Sequence, residues 1–139
     1  MPGGAAVVAA ETKFAAEPCR LENPSGLSSV AARCGYLEVA ENPDAPAGAK
    51  IRLHVALIAA LRSQPSTEPL FIVSGGPGSA ASQFYAATAP AFERIRRERD
   101  LVVVDQRGTG LSNALDCDFP DNFDVGQLEI GRASCRERV

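Results

Sequence analysis

Two apolar runs, each followed directly by a glycine-rich turn, constrain the fold of this chain most strongly. Residues 70–73 (Leu-Phe-Ile-Val) precede Ser-Gly-Gly-Pro-Gly-Ser at 74–79, and residues 101–104 (Leu-Val-Val-Val) precede Asp-Gln-Arg-Gly-Thr-Gly-Leu-Ser at 105–112. Such short runs of apolar and β-branched residues are typical of strands that are covered on both faces. A stretch with helical spacing separates them, so the sequence predicts a βαβ unit with parallel strands and an α/β fold class.

A second pair of strands is predicted upstream. Residues 35–40 and 50–58 alternate apolar and polar side chains, and the turn-forming residues 42–48 separate them. This pattern predicts an antiparallel hairpin with one face in solvent. Arg52 and His54 fall on the solvent face of the later strand, and we therefore expect no catalytic role for His54.

Between the two buried strands, the sequence predicts a helix that Ser79 or Ser82 can cap. Pro90 is expected to kink this helix or to begin a second one at its first position. The charged residues 93–99 are interpreted as a solvated helix face. After Ser112 the chain has no hydrophobic period, which predicts a loop.

Composition narrows the class of protein. The 139 residues are 45% hydrophobic and 22% charged, which is ordinary for one globular domain. The net charge of −3 argues against a nucleic-acid partner, since phosphate binding needs a basic surface. No apolar stretch approaches the length of a membrane span. With one histidine and no CxxC pair, the sequence predicts no metal site, and we expect no cofactor.

The cysteines leave two interpretations open. Cys19 and Cys34 bracket a turn-rich loop that a disulfide could close, and two buried free thiols are the alternative. A disulfide would favour an extracytoplasmic location, periplasmic or secreted, over a cytoplasmic one. Residues 1–18 are Ala-rich without a basic start, so we interpret them as a flexible N-terminus or the remnant of a signal peptide.

The last ten residues, 130–139, differ from the rest of the chain because they have no hydrophobic period. They can be written back into the codons ATC GGA AGA GCG TCG TGT AGG GAA AGA GTG, a string that matches sequencing-adapter DNA. Our hypothesis is that this tail is not native and that residues 19–129 are the truncated N-terminal part of a longer domain. A disordered basic tail is the alternative.

Several functions are possible for the turn at 74–79. A phosphate-binding P-loop requires a lysine that the turn lacks. A dinucleotide fingerprint, with Asp105 at the end of the next strand, is satisfied formally, but Pro77 falls where the amides must curl around a pyrophosphate. An oxyanion loop needs backbone N–H groups free to approach a developing negative charge, and Gly75-Gly76 meets that need. The turn could also simply join a strand to a helix.

The two motifs together resemble the HGGPG and DQRGxGxS motifs of proline iminopeptidases and tripeptidyl aminopeptidases, a serine-peptidase branch of the α/β-hydrolases. Residues 34–39, followed by Asn42-Pro43, also resemble the opening strand of secreted tripeptidyl-aminopeptidase-like members. The resemblance covers residues 19–120. It implies the N-terminal part of an α/β-hydrolase fold, a Ser-Asp-His triad, and removal of residues from a peptide with a free N-terminus through an acyl-enzyme. Another α/β-hydrolase, such as an esterase, is the alternative.

Carried onto this sequence, the resemblance makes Gly75 and Gly76 the oxyanion loop, with Gly76 as the favoured donor, and implies that Arg107 pairs with a carboxylate. The other motif positions are expected to be structural: Pro77, Gly78, Asp105, Gln106, Arg107, Gly108, Gly110 and Ser112. The sequence departs from the pattern at Ser74, where single-domain relatives carry histidine. It also contains no GxSxG, so we expect the nucleophile, acid and base to lie outside it and the fragment to be inactive.

Overall fold

The computed structural model describes residues 14–76, 78–116 and 136–137, which form a mixed α/β structure. Its five-stranded sheet has the order β1-β2-β3-β5-β4. The strands are β1 (Glu17–Glu22), β2 (Ser29–Ala40), β3 (Lys50–Ile58), β4 (Leu70–Ile72) and β5 (Leu101–Val104), and the helices are α1 (Ala81–Thr88), a 3-10 helix (Ala89–Phe92) and α2 (Glu93–Arg96). A separate antiparallel pair joins β6 (Leu115–Asp116) to β7 (Arg136–Glu137).

The predicted βαβ unit is confirmed. Strands β4 and β5 lie side by side and parallel, with Leu70 opposite Leu101 and Ile72 opposite Val103. The helical segment connects them, and Pro90 interrupts it within the first turn of the 3-10 helix. Strand β5 also pairs antiparallel with β3, so the hairpin and the βαβ unit form one sheet.

The predicted hairpin is confirmed as β2 and β3, with Tyr36 opposite His54. Strand β2 begins earlier than expected, however, because it also pairs with β1 from Ser29 onward. No strand was predicted for residues 17–22, since residues 1–18 were interpreted as a flexible N-terminus and Cys19 as the start of a turn-rich loop. This segment forms an edge strand in which Pro18 is tolerated, since an edge position leaves one set of backbone groups unpaired.

A disulfide joins Cys19 on β1 to Cys34 on β2, with 5.7 Å between the Cα atoms. It fastens the edge strand to the rest of the sheet across a separation of 15 residues.

Replacing Cys19 with serine is therefore expected to lower the free energy of unfolding by about 3 kcal/mol, since the unfolded chain regains loop entropy. Urea denaturation monitored by circular dichroism measures this loss. Cys19→Ser and the double variant Cys19→Ser/Cys34→Ser should lose the same amount, because either change removes the same bond. Equal midpoints for wild type and both variants would contradict the prediction.

The core lies between α1 and one face of the sheet. On the sheet side it contains Ala56, Ile58, Leu101 and Val103, and Tyr85 of α1 packs against them with 1% of its surface exposed. The aromatic ring of Phe92, from the 3-10 helix, lies 5.6 Å from that of Tyr85.

Burial of β4 on both faces was predicted wrongly. Phe71 is 63% exposed and Val73, just after the strand, is 61% exposed. Strand β4 is the last strand of the described sheet, and the packed helix α1 covers only the face that carries Ile72.

No helix within the described ranges is long and apolar enough to cross a bilayer.

Candidate functional site

The glycine turn leaves β4 at its carboxyl end and enters α1. Gly76 and Gly78 have φ angles of 84° and 85°, a region that side-chain-bearing residues rarely adopt. The turn is closed by two hydrogen bonds: the hydroxyl oxygens of Ser74 and Ser79 lie 3.0 Å apart, and the Ser79 N–H donates to the Gly76 carbonyl over 3.2 Å. Its geometry is therefore fixed from within.

Two residues of this turn have backbone amides without a hydrogen-bond acceptor among the described residues. Gly75 and Gly76 are exposed, and neither N–H donates to an acceptor in the described part of the chain. A Cβ atom built at either position would meet no atom within 4 Å. The backbone is thus open to a ligand at these two residues, whereas Pro77, between Gly76 and Gly78, lies outside the described residues.

Asp105, at the end of β5, is the most heavily hydrogen-bonded side chain of the site, and it is fully buried. Its Oδ1 accepts the Ser82 N–H over 2.8 Å. Its Oδ2 accepts the Ser82 hydroxyl over 2.9 Å, pairs with His54 Nδ1 at 3.1 Å and accepts the Leu111 N–H over 3.4 Å. One carboxylate therefore joins helix α1, strand β3 and the turn after β5.

Burial disfavours the charged form of Asp105, but the hydrogen bonds from His54, Ser82 and Leu111 outweigh that effect, so the pKa of the carboxyl is lowered from its ordinary value. Asp105 is then ionised at neutral pH and can only accept hydrogen bonds. The proton of the bond to His54 consequently belongs to Nδ1 of the imidazole.

The expectation that Ser79 or Ser82 caps α1 was wrong. Ala80 occupies the N-cap position and makes no side-chain hydrogen bond. The N–H of Ser82, which has no intrahelical partner so near the start of the helix, is satisfied instead by Asp105 from β5. A negative charge at this end of the helix is also favoured by the helix dipole.

The prediction that His54 lies on a solvent face was also wrong. Its residue surface is 3% exposed, because the face of β3 that carries it is the one on which α1 packs. Arg52, two residues earlier on the same face, remains exposed and lies over the Tyr36 ring at 4.1 Å from its centroid.

The turn at 105–112 is held by Ser112, which is 1% exposed. Its hydroxyl donates to the Asp105 carbonyl and accepts the His54 backbone N–H, each over 2.7 Å. Its carbonyl accepts the N–H of Gly108, which has a φ of 76°. Gly110, with a φ of 49°, lies directly against the Asp105 carboxylate.

Within the described residues, Arg107 pairs with no carboxylate, although such a pair was expected. Its guanidinium donates to the backbone carbonyl of Glu41 over 2.8 Å, which ties the turn to the end of the β2–β3 hairpin. Gln106 is exposed, and its backbone carbonyl accepts hydrogen bonds from the N–H and the hydroxyl of Thr109.

Ser82, Asp105 and His54 contain the residue types of a catalytic triad but not its arrangement. In a triad the imidazole lies between the serine and the carboxylate, so that it can take the serine proton. Here Ser82 and His54 both bond to the same oxygen of Asp105. No serine hydroxyl in the described ranges bonds to an imidazole nitrogen, and the cluster therefore positions the backbone.

Asp105 is also unsuited to bind a dinucleotide. That chemistry needs a carboxylate free to accept the ribose hydroxyls, but Asp105 is inaccessible and already has four hydrogen bonds to its carboxylate. Among the residues that the structure describes, no group of three or more His, Cys, Asp or Glu side chains is arranged to hold a metal ion.

No protein-family model matches the sequence. Over 97 residues, the chain is 37% identical to a protein named as a hydrolase from Mycobacterium bovis and to carboxylesterase B from two strains of Mycobacterium tuberculosis. The matched region covers 68% of this chain, and it corresponds to 18% of the length of these relatives. The chain is thus similar to one segment of longer proteins that carry hydrolase names.

Proposed function

We propose that this sequence is part of a serine hydrolase of the α/β-hydrolase type and that the turn at 74–79 supplies half of its oxyanion hole. The observation that carries the proposal is the pair of exposed amides at Gly75 and Gly76, which have no acceptor in the described part of the chain. Hydrolysis of an ester or amide passes through a tetrahedral oxyanion, and fixed N–H donors stabilise it.

The surrounding contacts support this role because they fix the conformation of the turn. The hydroxyl pair of Ser74 and Ser79 joins the two ends of the turn, and the helix that follows is anchored through Ser82 to the buried Asp105. Donors that are fixed before the reaction need no reorganisation when the negative charge develops.

The nucleophile, acid and base of this reaction belong, in our proposal, to a longer polypeptide that contains this sequence. Two observations support the proposal: the sequence contains no GxSxG, and it matches 18% of the length of the curated relatives. The serine of that polypeptide would attack the substrate carbonyl and form an acyl-enzyme as the C–O or C–N bond breaks and the alcohol or amine leaves. Water would then hydrolyse the acyl-enzyme, releasing the carboxylic acid and the free serine. The disulfide between Cys19 and Cys34 supports an oxidising compartment as its location.

Two substrate classes fit this chemistry. The paired motifs favour a peptide with a free N-terminus, processed by an aminopeptidase, whereas the name carboxylesterase B of the relatives favours a carboxylic ester. Both substrate classes contain a carbonyl oxygen that becomes negatively charged in the tetrahedral intermediate and can accept a hydrogen bond from a backbone N–H.

Expression of the complete reading frame that contains this sequence tests the proposal. We expect the purified protein to be labelled by a fluorophosphonate and to hydrolyse either a tripeptidyl chromogenic amide or a short chromogenic ester. The N-acetylated amide is the control, because an aminopeptidase requires the free amine. Absence of both labelling and hydrolysis in a folded sample would refute the hydrolase assignment.

A further inference from the structure

A cavity of about 740 Å³ lies on the helix-covered side of the sheet, between β1–β3 and the start of α1. Its walls include the Cys19–Cys34 disulfide, Tyr36, Arg52 and His54. None of the described residues of the glycine turn (74–76, 78 and 79) lines it, so it is distinct from the exposed residues Gly75 and Gly76.

His54 presents an unused hydrogen-bonding atom to this cavity. Its side chain is 4% exposed, and Nδ1 is engaged by Asp105. Nε2 has no hydrogen-bond partner among the described residues. Every fully buried side-chain nitrogen or oxygen atom of those residues does have a partner, so Nε2 is not fully buried. Nε2 is therefore the accessible atom of the ring, and in the neutral imidazole it carries a lone pair that can accept a hydrogen bond.

Arg52 supplies a cation beside this acceptor. It lies two residues from His54 on the same face of β3, so their Cα atoms are about 6.6 Å apart. Its guanidinium lies over the Tyr36 ring, 4.1 Å from the centroid, and donates to no acceptor in the described part of the chain. Stacking on the ring restricts the guanidinium, and a planar fork of donors suits a carboxylate.

The two groups define complementary requirements for a ligand. A carboxylate satisfies Arg52, and a hydroxyl or amino group a few bonds away can donate to His54 Nε2. Glu17, on β1, also lines the cavity, and its carboxylate has no ion-pair or hydrogen-bond partner among the described residues. Its negative charge would repel a second anionic group on the ligand, so a hydrogen-bond donor is favoured there.

We propose that this cavity binds a short carboxylate that carries a hydroxyl or amino group, with Arg52 holding the carboxylate and His54 Nε2 accepting from the second group. The site does not depend on the hydrolase assignment. Because the probe molecules contain few atoms, binding is expected in the millimolar range.

The sequence contains a single histidine, so the ring nitrogens of His54 give an unambiguous NMR signal in a sample made without a histidine tag. The 139-residue protein is titrated with glycolate, glycine and acetate. We expect saturable shifts of the Nε2 signal with glycolate or glycine. Tighter binding of glycolate would identify the preferred donor as a hydroxyl, and tighter binding of glycine would identify it as an ammonium group. Acetate, which lacks the donor, should bind more weakly and leave Nε2 unshifted.

Arg52→Gln is expected to weaken the preferred probe about tenfold or more, since a charge-assisted pair is lost. Lys50→Gln is the matched control: it removes one positive charge from the same strand but outside the cavity, and it should leave the affinity unchanged. Both residues are exposed, so both variants should fold. The proposal is overturned if no probe shifts Nε2 saturably, if acetate binds as tightly as the others, or if the two variants behave alike.

Discussion

Replacing Asp105 with alanine is expected to lower the free energy of unfolding by about 3–5 kcal/mol. The change leaves the Ser82 N–H, the His54 Nδ1 proton and the Leu111 N–H without the acceptor that now satisfies them. Each unsatisfied buried donor is destabilising by about 1–3 kcal/mol, partly offset by relaxation around the cavity. Urea denaturation of the 139-residue protein at neutral pH measures the difference.

The Asp105→Asn variant removes the negative charge of the side chain but keeps its shape, so it shows how much of the loss of stability is due to the charge. The amide keeps an oxygen for the Ser82 N–H but offers no carboxylate oxygen to His54, so the loss should be smaller than that of the alanine variant. A variant as stable as wild type, for either substitution, would show that the buried network does not stabilise the fold.

The pH dependence of stability gives an independent readout of the same carboxylate. Because the pKa of Asp105 is lowered in the folded protein, its contribution is fully present above its ordinary pKa of 3.8 and is lost as the pH falls toward the lower folded pKa. Wild type should therefore lose stability on acidification below about pH 4 more steeply than Asp105→Asn. Parallel curves would contradict this assignment.

Gly110→Ala is expected to destabilise the fold by about 4 kcal/mol, because the backbone conformation and the lack of space both oppose a side chain. The φ of Gly110 is 49°. A Cβ there would lie 2.6 Å from Asp105 Oδ2 and 2.7 Å from the Ala80 Cβ. The turn after β5 would have to move away from the start of α1, which would disturb the hydrogen bonds to Asp105.

Gly26→Ala is a control for the backbone contribution alone. Gly26 also has a positive φ, 70°, but a Cβ atom there would meet nothing within 4 Å. Its loss should be about 1–2 kcal/mol, so the difference between the two variants measures the steric conflict at Gly110. Equal losses in thermal and urea denaturation would rule out the close packing against Asp105.

The sequence was sufficient to predict the elements whose pattern is local. Strand β3 alternates apolar and polar residues, β5 is an unbroken apolar run, and the turn-forming residues between β2 and β3 define the hairpin. Strand β1 was missed because an edge strand of six residues, containing Pro18, needs only Cys19 and Leu21 to face the core. Such a segment has too few inward residues to show a period.

The contacts around Asp105 could not be predicted in the same way. His54 and Asp105 are 51 positions apart, and His54 looked like a solvent residue because alternation alone does not show that a helix packs on that face. The helix cap was missed for the same reason, since the acceptor for Ser82 comes from another strand. The sequence offered one signal: a histidine, His54, in the regular strand β3, and an aspartate, Asp105, directly after the strand β5 that pairs with it.

The most direct test of the proposed oxyanion loop compares Gly76→Ala with Gly75→Ala in the protein produced from the complete reading frame. Gly76 has a φ of 84°, so alanine there should displace its N–H, whereas the Gly75 backbone has no positive φ and has room for a Cβ. Loss of an oxyanion donor lowers kcat about 100-fold or more with KM little changed. We therefore predict that loss for Gly76→Ala and a much smaller one for Gly75→Ala; unchanged kcat in a folded Gly76→Ala enzyme would contradict the account.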